Sequence, residues 1–229
     1  MPDPVLLEAR DLLVGYAEGE PVCAPVSVAL EPGTALGLVG PNGAGKSTVL
    51  QTLVGLLPAL GGTVHYAGRA VDERSASFRA EVATVLDEDA FFPALTGVEH
   101  LLLTARGHGV ADAEDVVARE VAAFGLAGRA EALPSAVSSG QRRRLALAAA
   151  LVRPARLLVL DEPERRLDTG MRRHLAARLA AEVEAGVTVV FASHDPEFLR
   201  TLADAVLVVD DADCPLVSPD DAVAVLSEG

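Results

Sequence analysis

An apolar pentapeptide, Ala35-Leu36-Gly37-Leu38-Val39, runs without a break into Gly40-Pro41-Asn42-Gly43-Ala44-Gly45-Lys46-Ser47-Thr48. From Lys46 onward Val49, Leu50, Leu53, Val54 and Leu57 recur at helical intervals until Pro58. The apolar run, entered from the turn Glu31-Pro32-Gly33, predicts a buried strand. The spacing after it predicts a helix over 46–57 that the proline stops. Strand, glycine-rich turn and helix in that order are the context that a phosphate-binding loop requires. Gly40, Gly43 and Gly45 allow backbone conformations in which successive N–H groups turn inward, at the positive end of the helix that follows. The run fits the pattern G-x-x-x-x-G-K-[ST], whose amides cradle phosphate oxygens. Lys46 would place a point charge on the terminal phosphates, and Ser47 would offer a hydroxyl to Mg²⁺. Lys46 is the only lysine in 229 residues and Asn42 the only asparagine, so both were kept in this one turn.

The pattern around this unit predicts an α/β domain. Residues 5–14, 22–30, 63–67 and 84–86 read as further strands, the first two belonging to an N-terminal sheet. Between 96 and 152 the spacing turns helical, over 98–105, 113–124 and 139–152. Strand and helix then alternate: 156–161, 187–191 and 205–209 are apolar runs, separated by helical patterns over 171–185 and 196–203. The expected organisation is one domain over 1–229, with a nucleotide-binding core over 1–86 and 156–229 and a helical subdomain over 87–155. After Val209 only a short acidic tail is expected.

Composition narrows the function classes. Asp and Glu number 33 against 19 Lys and Arg, a formal charge of −14. Such a surface repels a nucleic-acid backbone on average, although a small site can still be locally positive. Cys23 and Cys214, far apart in sequence, suggest neither a disulfide framework nor a metal-ligand spacing. The start Met1-Pro2-Asp3-Pro4 does not read as a signal peptide. The apolar run 145–152 is bracketed by Arg144 and Arg153, far short of the roughly 20 residues that span a bilayer. A soluble chain is expected.

A second motif closes the strand 156–161 with Asp161-Glu162. In phosphoryl-transfer sites an acid at a strand end holds Mg²⁺, and a carboxylate one residue on can polarise the attacking water. Such a pair could also cap the next helix. Together with the glycine loop it points to a nucleoside triphosphate. The sole Asn and Lys already stand in that loop, which leaves no Asn-Lys-x-Asp run to read guanine.

The segment Val137-Ser138-Ser139-Gly140-Gln141, followed by Arg142-Arg143-Arg144-Leu145, resembles the Leu-Ser-Gly-Gly-Gln signature of the ATP-binding subunits of ABC transporters. Ser138, Ser139 and the amides of Gly140 and Gln141 open a helix, a place where an anion can sit. The resemblance covers residues 5–209. It implies a P-loop core with a mainly parallel sheet, an N-terminal antiparallel β subdomain and an inserted α-helical subdomain. It also implies a head-to-tail dimer in which each ATP lies between one chain's phosphate loop and the other's signature helix. By the same resemblance Tyr16 stacks on adenine, Asp161 holds Mg²⁺, Glu162 is the general base, and Lys46 and His194 contact the terminal phosphate. His194 follows the strand 187–191 in Ala192-Ser193-His194-Asp195, and Leu167-Asp168 ends the loop through which the halves communicate. His65, His100, His108 and His174 match nothing in the family pattern.

The implied role is an ATPase that powers a membrane transporter whose spanning subunit is a separate chain. Pairing with a like or unlike ATP-binding subunit, no nucleic acid, and a place on the inner face of the cell membrane belong to the same expectation. An alternative is a regulatory ATP-binding subunit with weak hydrolysis. A cassette acting on DNA or ribosomes fits less well, because no paired cassette or heptad run is present. Two departures motivate the alternative. Asp87, inside Asp87-Glu88-Asp89, stands where the family usually has a glutamine that touches Mg²⁺ and the attacking water. Glu164-Arg165-Arg166 replaces small residues at the expected dimer seam.

Overall fold

The structure, a computed structural model, describes residues 5–16, 19–86 and 91–228. Two sheets organise it. The first is antiparallel, in the order β2-β1-β4-β5, from β1 (Leu7–Leu13), β2 (Val26–Leu30), β4 (Gly61–Tyr66) and β5 (Arg69–Ala70). The second carries the site. Its order is β10-β9-β3-β8-β7-β6, from β3 (Ala35–Val39), β6 (Val82–Val85), β7 (Leu157–Asp161), β8 (Thr188–Ala192), β9 (Ala205–Val208) and β10 (Leu216–Val217). All its pairings are parallel except β9 with β10.

Every residue of β3, β7 and β8 is buried, because helices or the other sheet cover both faces. Along β7 the period of two is visible in the packing. Leu157 and Val159 join one hydrophobic cluster with the N-terminal sheet and α1 (Lys46–Leu53). Leu158 and Leu160 join the other cluster. That second cluster also takes in α3 (Gly97–Gly107), α4 (Ala113–Ala123), α5 (Ser139–Leu151), α6 (Thr169–Glu184) and α7 (Pro196–Leu202). α3, α4 and α5 stand between β6 and β7 in the chain.

Three expectations need correction, and one helix is added. α1 ends at Leu53, not at 57, because Gly55 takes φ 77° and turns the chain before Pro58 is reached. The strand expected over 22–30 begins only at Val26, since 21–25 bend past the glycine loop. A short helix, α2 (Ala76–Glu81), precedes β6 and showed no clear period. The acidic tail is structured: β10 pairs with β9, and α8 (Pro219–Glu228) buries Ala222 and Val223. Its acids Asp220 and Asp221 lie in the first turn, where they favour a helix.

Candidate functional site: the ends of β3, β7 and β8

Three neighbouring parallel strands end together, and each delivers one part of the site. β3 leads into the glycine loop, β7 into Asp161-Glu162, and β8 into Ser193-His194. Ligands of open α/β sheets collect beyond such carboxyl ends. Two backbone bonds tie the exits together: Glu162 N–H donates to Ala192 O at 3.0 Å, and Ser193 N–H donates to Leu38 O at 3.2 Å.

The glycine loop is shaped by close approach. At Gly40 (φ 150°) a Cβ would lie 2.4 Å from Val209 O, so no side chain fits. Gly45 takes φ 98° and forms the start of α1 without a side-chain cap, which leaves the first amides of the helix for a ligand. Lys46 is buried, and its Nζ donates to Gly40 O at 2.8 Å and Pro41 O at 3.0 Å, folding the ammonium over its own loop. Burial lowers the Lys46 pKa from its ordinary value, while Glu162 and Asp161 pull the other way. Pro41, Asn42 and Gly43 are exposed, Ala44 and Ser47 half-buried, and Thr48 buried. Thr48 Oγ1 donates to the Tyr16 hydroxyl at 3.3 Å, so the loop after β1 reaches the base of the phosphate loop. Tyr16 is 61% exposed, so it is accessible to a stacking partner.

Asp161 ends β7 and is buried. Glu162 follows with φ 43°, a left-handed conformation that an L residue adopts only when its surroundings force it. Its carboxylate has two nitrogen neighbours, the His194 imidazole with Nε2 at 3.8 Å from Oε1 and the Arg165 guanidinium with Nη1 at 3.4 Å from Oε2. Burial and then the Lys46 charge lower the His194 pKa, against a smaller opposing pull from Glu162 and Asp161. Its imidazole is therefore neutral at physiological pH and can hydrogen-bond a phosphate oxygen.

Among the described residues no group of three or more His, Cys, Asp or Glu side chains could cage a metal by itself. The donor set offered here is a hydroxyl, Ser47, and a buried carboxylate, Asp161. Hard oxygens in small number fit Mg²⁺, which keeps most of its shell for phosphate and water. Asp87, the third expected ligand, lies outside the described residues.

Ser138 caps α5 through a reciprocal box. Its Oγ accepts from Gln141 N at 3.2 Å, and its own N–H donates to Gln141 Oε1 at 2.9 Å. The Gln141 amide is thus engaged within its own chain, while Ser139 and Gly140 form the first turn. The first turn also abuts the segment after the acid pair, because a Cβ on Gly140 would lie 2.8 Å from Arg166 O.

Two buried groups in this region escaped the sequence reading. Glu164 is 6% exposed and accepts from the Ser193 hydroxyl, and burial raises its pKa. Arg143, 5% exposed, reaches from α5 to the carbonyls of Asp161 and Glu162. In sequence Arg143 is the middle of three arginines, and only the helical phase, placing it one turn before the buried Leu147, could have set it apart.

The family model described as ABC transporter matches residues 23–165. The sn-glycerol-3-phosphate import ATP-binding protein UgpC of Vibrio vulnificus is 31% identical over 207 residues, which cover 89% of this chain and 55% of that protein. The chain thus spans about half the length of this curated relative. A solved ATP-binding subunit of an ABC transporter superposes with a TM-score of 0.86 at 23% identity, covering 97% of this chain and 99% of that one. A dimeric ATP-binding cassette bound to ADP and Pi after hydrolysis superposes with a TM-score of 0.83 at 20% identity, over 93% and 99%. With the motif segments inside the matched span and the fold shared along nearly the whole chain, this protein belongs to the ABC transporter family, among its ATP-binding subunits.

Proposed function

We propose that this chain binds and hydrolyses ATP to power a membrane transporter, closing on a second ATP-binding subunit as it does so. The observation that carries the reading is the convergence of Lys46, Asp161, Glu162 and His194 at the ends of adjacent strands. The amides of the loop 40–48 and Lys46 hold the triphosphate, and Tyr16 offers its exposed ring to adenine. Ser47 and Asp161 are the residues that would hold Mg²⁺, whose charge offsets that of the phosphates. Glu162 accepts a proton from the attacking water. Neutral His194 donates a hydrogen bond to the terminal phosphate, and Ser138–Gln141 complete the site of the facing subunit.

No helix among the described residues is long and apolar enough to cross a membrane, so a spanning partner on another chain fits the reading. A groove of about 930 Å³ offers it a seat; Leu56, Phe92 and His100 are among its lining residues. His100, buried, stacks on Phe92 and bonds its carbonyl at 3.0 Å, which shapes that wall. The −14 charge disfavours nucleic acid.

The test is Glu162→Gln. ATP affinity should stay within about threefold, while turnover falls by about 10²–10⁴-fold, the usual worth of a general base. ATP should then trap a dimer on size-exclusion chromatography. Normal turnover in the variant would remove Glu162 from its role. A second reading, a subunit with weak hydrolysis beside an active partner, is favoured by the Arg165–Glu162 contact at 3.4 Å, which places a cation on the base. A turnover number in the ordinary range of enzymes for the purified chain would discard it.

A further inference from the structure

We propose that Arg143 is a positioning residue for the hydrolytic step, holding the peptide at Glu162 so that the carboxylate faces His194. The inference rests on the reading of Glu162 as general base. Arg143 lies in the second turn of α5, and its Nη2 donates to Asp161 O and, at 2.9 Å, to Glu162 O. These two carbonyls belong to the peptide units on either side of the Glu162 Cα, the first being the link between the Mg²⁺-side acid and the base. A guanidinium is a planar, pre-organised donor, so two bonds from one end of it restrict how that link can rotate. Glu162 N–H is tied to β8 through Ala192 O at 3.0 Å. The backbone of Glu162 is therefore held on one side by the sheet and on the other by α5.

The conformation held in this way is one that needs holding. Glu162 has φ 43°, and four residues on Arg166 has φ 65°. Isolated L residues leave that region readily. Burying a guanidinium is itself unfavourable unless it is well hydrogen-bonded. Its neighbours on the same helix, Leu145, Leu147 and Ala148, are buried hydrophobics, so an apolar residue would suit the packing. The arginine is explained by what it bonds. Because α5 begins with the segment Ser138–Gln141, a displacement of that helix start moves Arg143 and, with it, the direction of the Glu162 side chain. The segment facing the second subunit and the base that activates water are thereby joined inside one chain.

The experiment compares the full chain with Arg143→Gln and Arg143→Lys, with Arg119→Gln on the exposed face of α4 as control. ATP affinity is measured by calorimetry, hydrolysis in single-turnover mode, and backbone hydrogen exchange over residues 160–166, each repeated in a Glu162→Gln background. Arg143→Gln should keep ATP affinity within about threefold and lose roughly 30-fold or more in rate, since a misplacement of about 1 Å costs about 10²-fold. Arg143→Lys should fall between, its ammonium reaching one carbonyl. In the Glu162→Gln background the same change should cost nothing further. Exchange should quicken at 160–166, and the Arg119→Gln control should leave it unchanged there.

An unchanged rate, or a loss that persists in full without Glu162, would overturn the assignment. So would a matching loss of ATP affinity. If Arg143→Gln does not fold, the lysine variant carries the same comparison. A wild-type chain that binds ATP without turning it over would sink the functional reading instead; exchange at 160–166 would still decide on Arg143, with unchanged protection refuting the tether.

Discussion

The phosphate loop and the seam between α5 and residues 161–168 serve one site but are built in opposite ways. The loop is mostly local: residues 40–48 are consecutive, its lysine bonds carbonyls five and six residues away, and its glycines give it its path, with distant chain entering chiefly where Val209 O crowds Gly40. The seam is assembled from distant pieces. Arg143 reaches 18 and 19 residues along the chain, Arg144 reaches Asp168 at 2.5 Å, and Gly140 admits Arg166 O where a methyl group would collide. A local device depends on few other residues and tolerates change around it. A seam depends on the placement of whole elements, which also makes it the part that a second subunit can influence.

That contrast predicts unequal sensitivities. The largest effect is expected in the loop's chemistry. Lys46→Ala should lower hydrolysis by about 10²–10³-fold, as removal of a preorganised charge-stabilising group does, while thermal unfolding changes little. If calorimetry with Mg²⁺ shows ATP uptake identical to wild type, the loop is not the phosphate site.

Gly140→Ala attacks the seam. Its Cβ would meet a backbone oxygen at 2.8 Å, and overpacking of this kind costs about 1–3 kcal/mol. The midpoint of unfolding should drop by roughly 2–10 °C. An unchanged midpoint would mean that α5 and the acid-pair segment slide apart freely, and the comparison with the loop would fail.

A smaller and opposite change is expected from Glu164→Gln. Burial raises the Glu164 pKa above that of the unfolded chain. Below the unfolded value both states carry the proton and the group is neutral to stability. As pH rises through the ordinary carboxylate range toward the folded pKa, the unfolded chain ionises first and the fold loses stability. The amide cannot ionise and can still accept from Ser193. The variant should therefore match wild type in acid and unfold at a higher temperature at neutral pH. Equal midpoints across the range would show that Glu164 ionises without cost.

The smallest effect belongs to the rim of the seam. Arg144→Met removes an ion pair with Asp168, whose side chain is 64% exposed. Such pairs are worth about 0.2–1 kcal/mol and are screened by salt. The difference from wild type in denaturant titrations should be largest at low ionic strength and shrink at high salt.

How much was legible before the structure follows the same division. The strands ending in Val39, Asp161 and Ala192 could be read from apolar runs because both their faces are buried, so every residue carries the signal. The start of α5 was legible because Ser138–Gln141 leads straight into a helical pattern, while the reciprocal cap between Ser138 and Gln141 emerged with the structure, at the three-residue spacing such a cap demands. α8 was read as a tail because its acidic first turn masked the few buried residues, Ala222 and Val223, that dock it. Arg143 and Glu164 could not be told from their charged neighbours, since composition cannot say which charge has a carbonyl or a hydroxyl waiting for it.

By itself, the order of residues settled the phosphate loop, the acid pair at a strand end and the alternation that makes a parallel sheet. Those depend on bonds and periods within a few residues of each other. Only the tertiary structure decided that Glu162 sits at φ 43° between His194 and Arg165, and that its backbone is held from α5. Such a conformation is unfavourable alone and exists because separate elements, each stabilised elsewhere, converge on it.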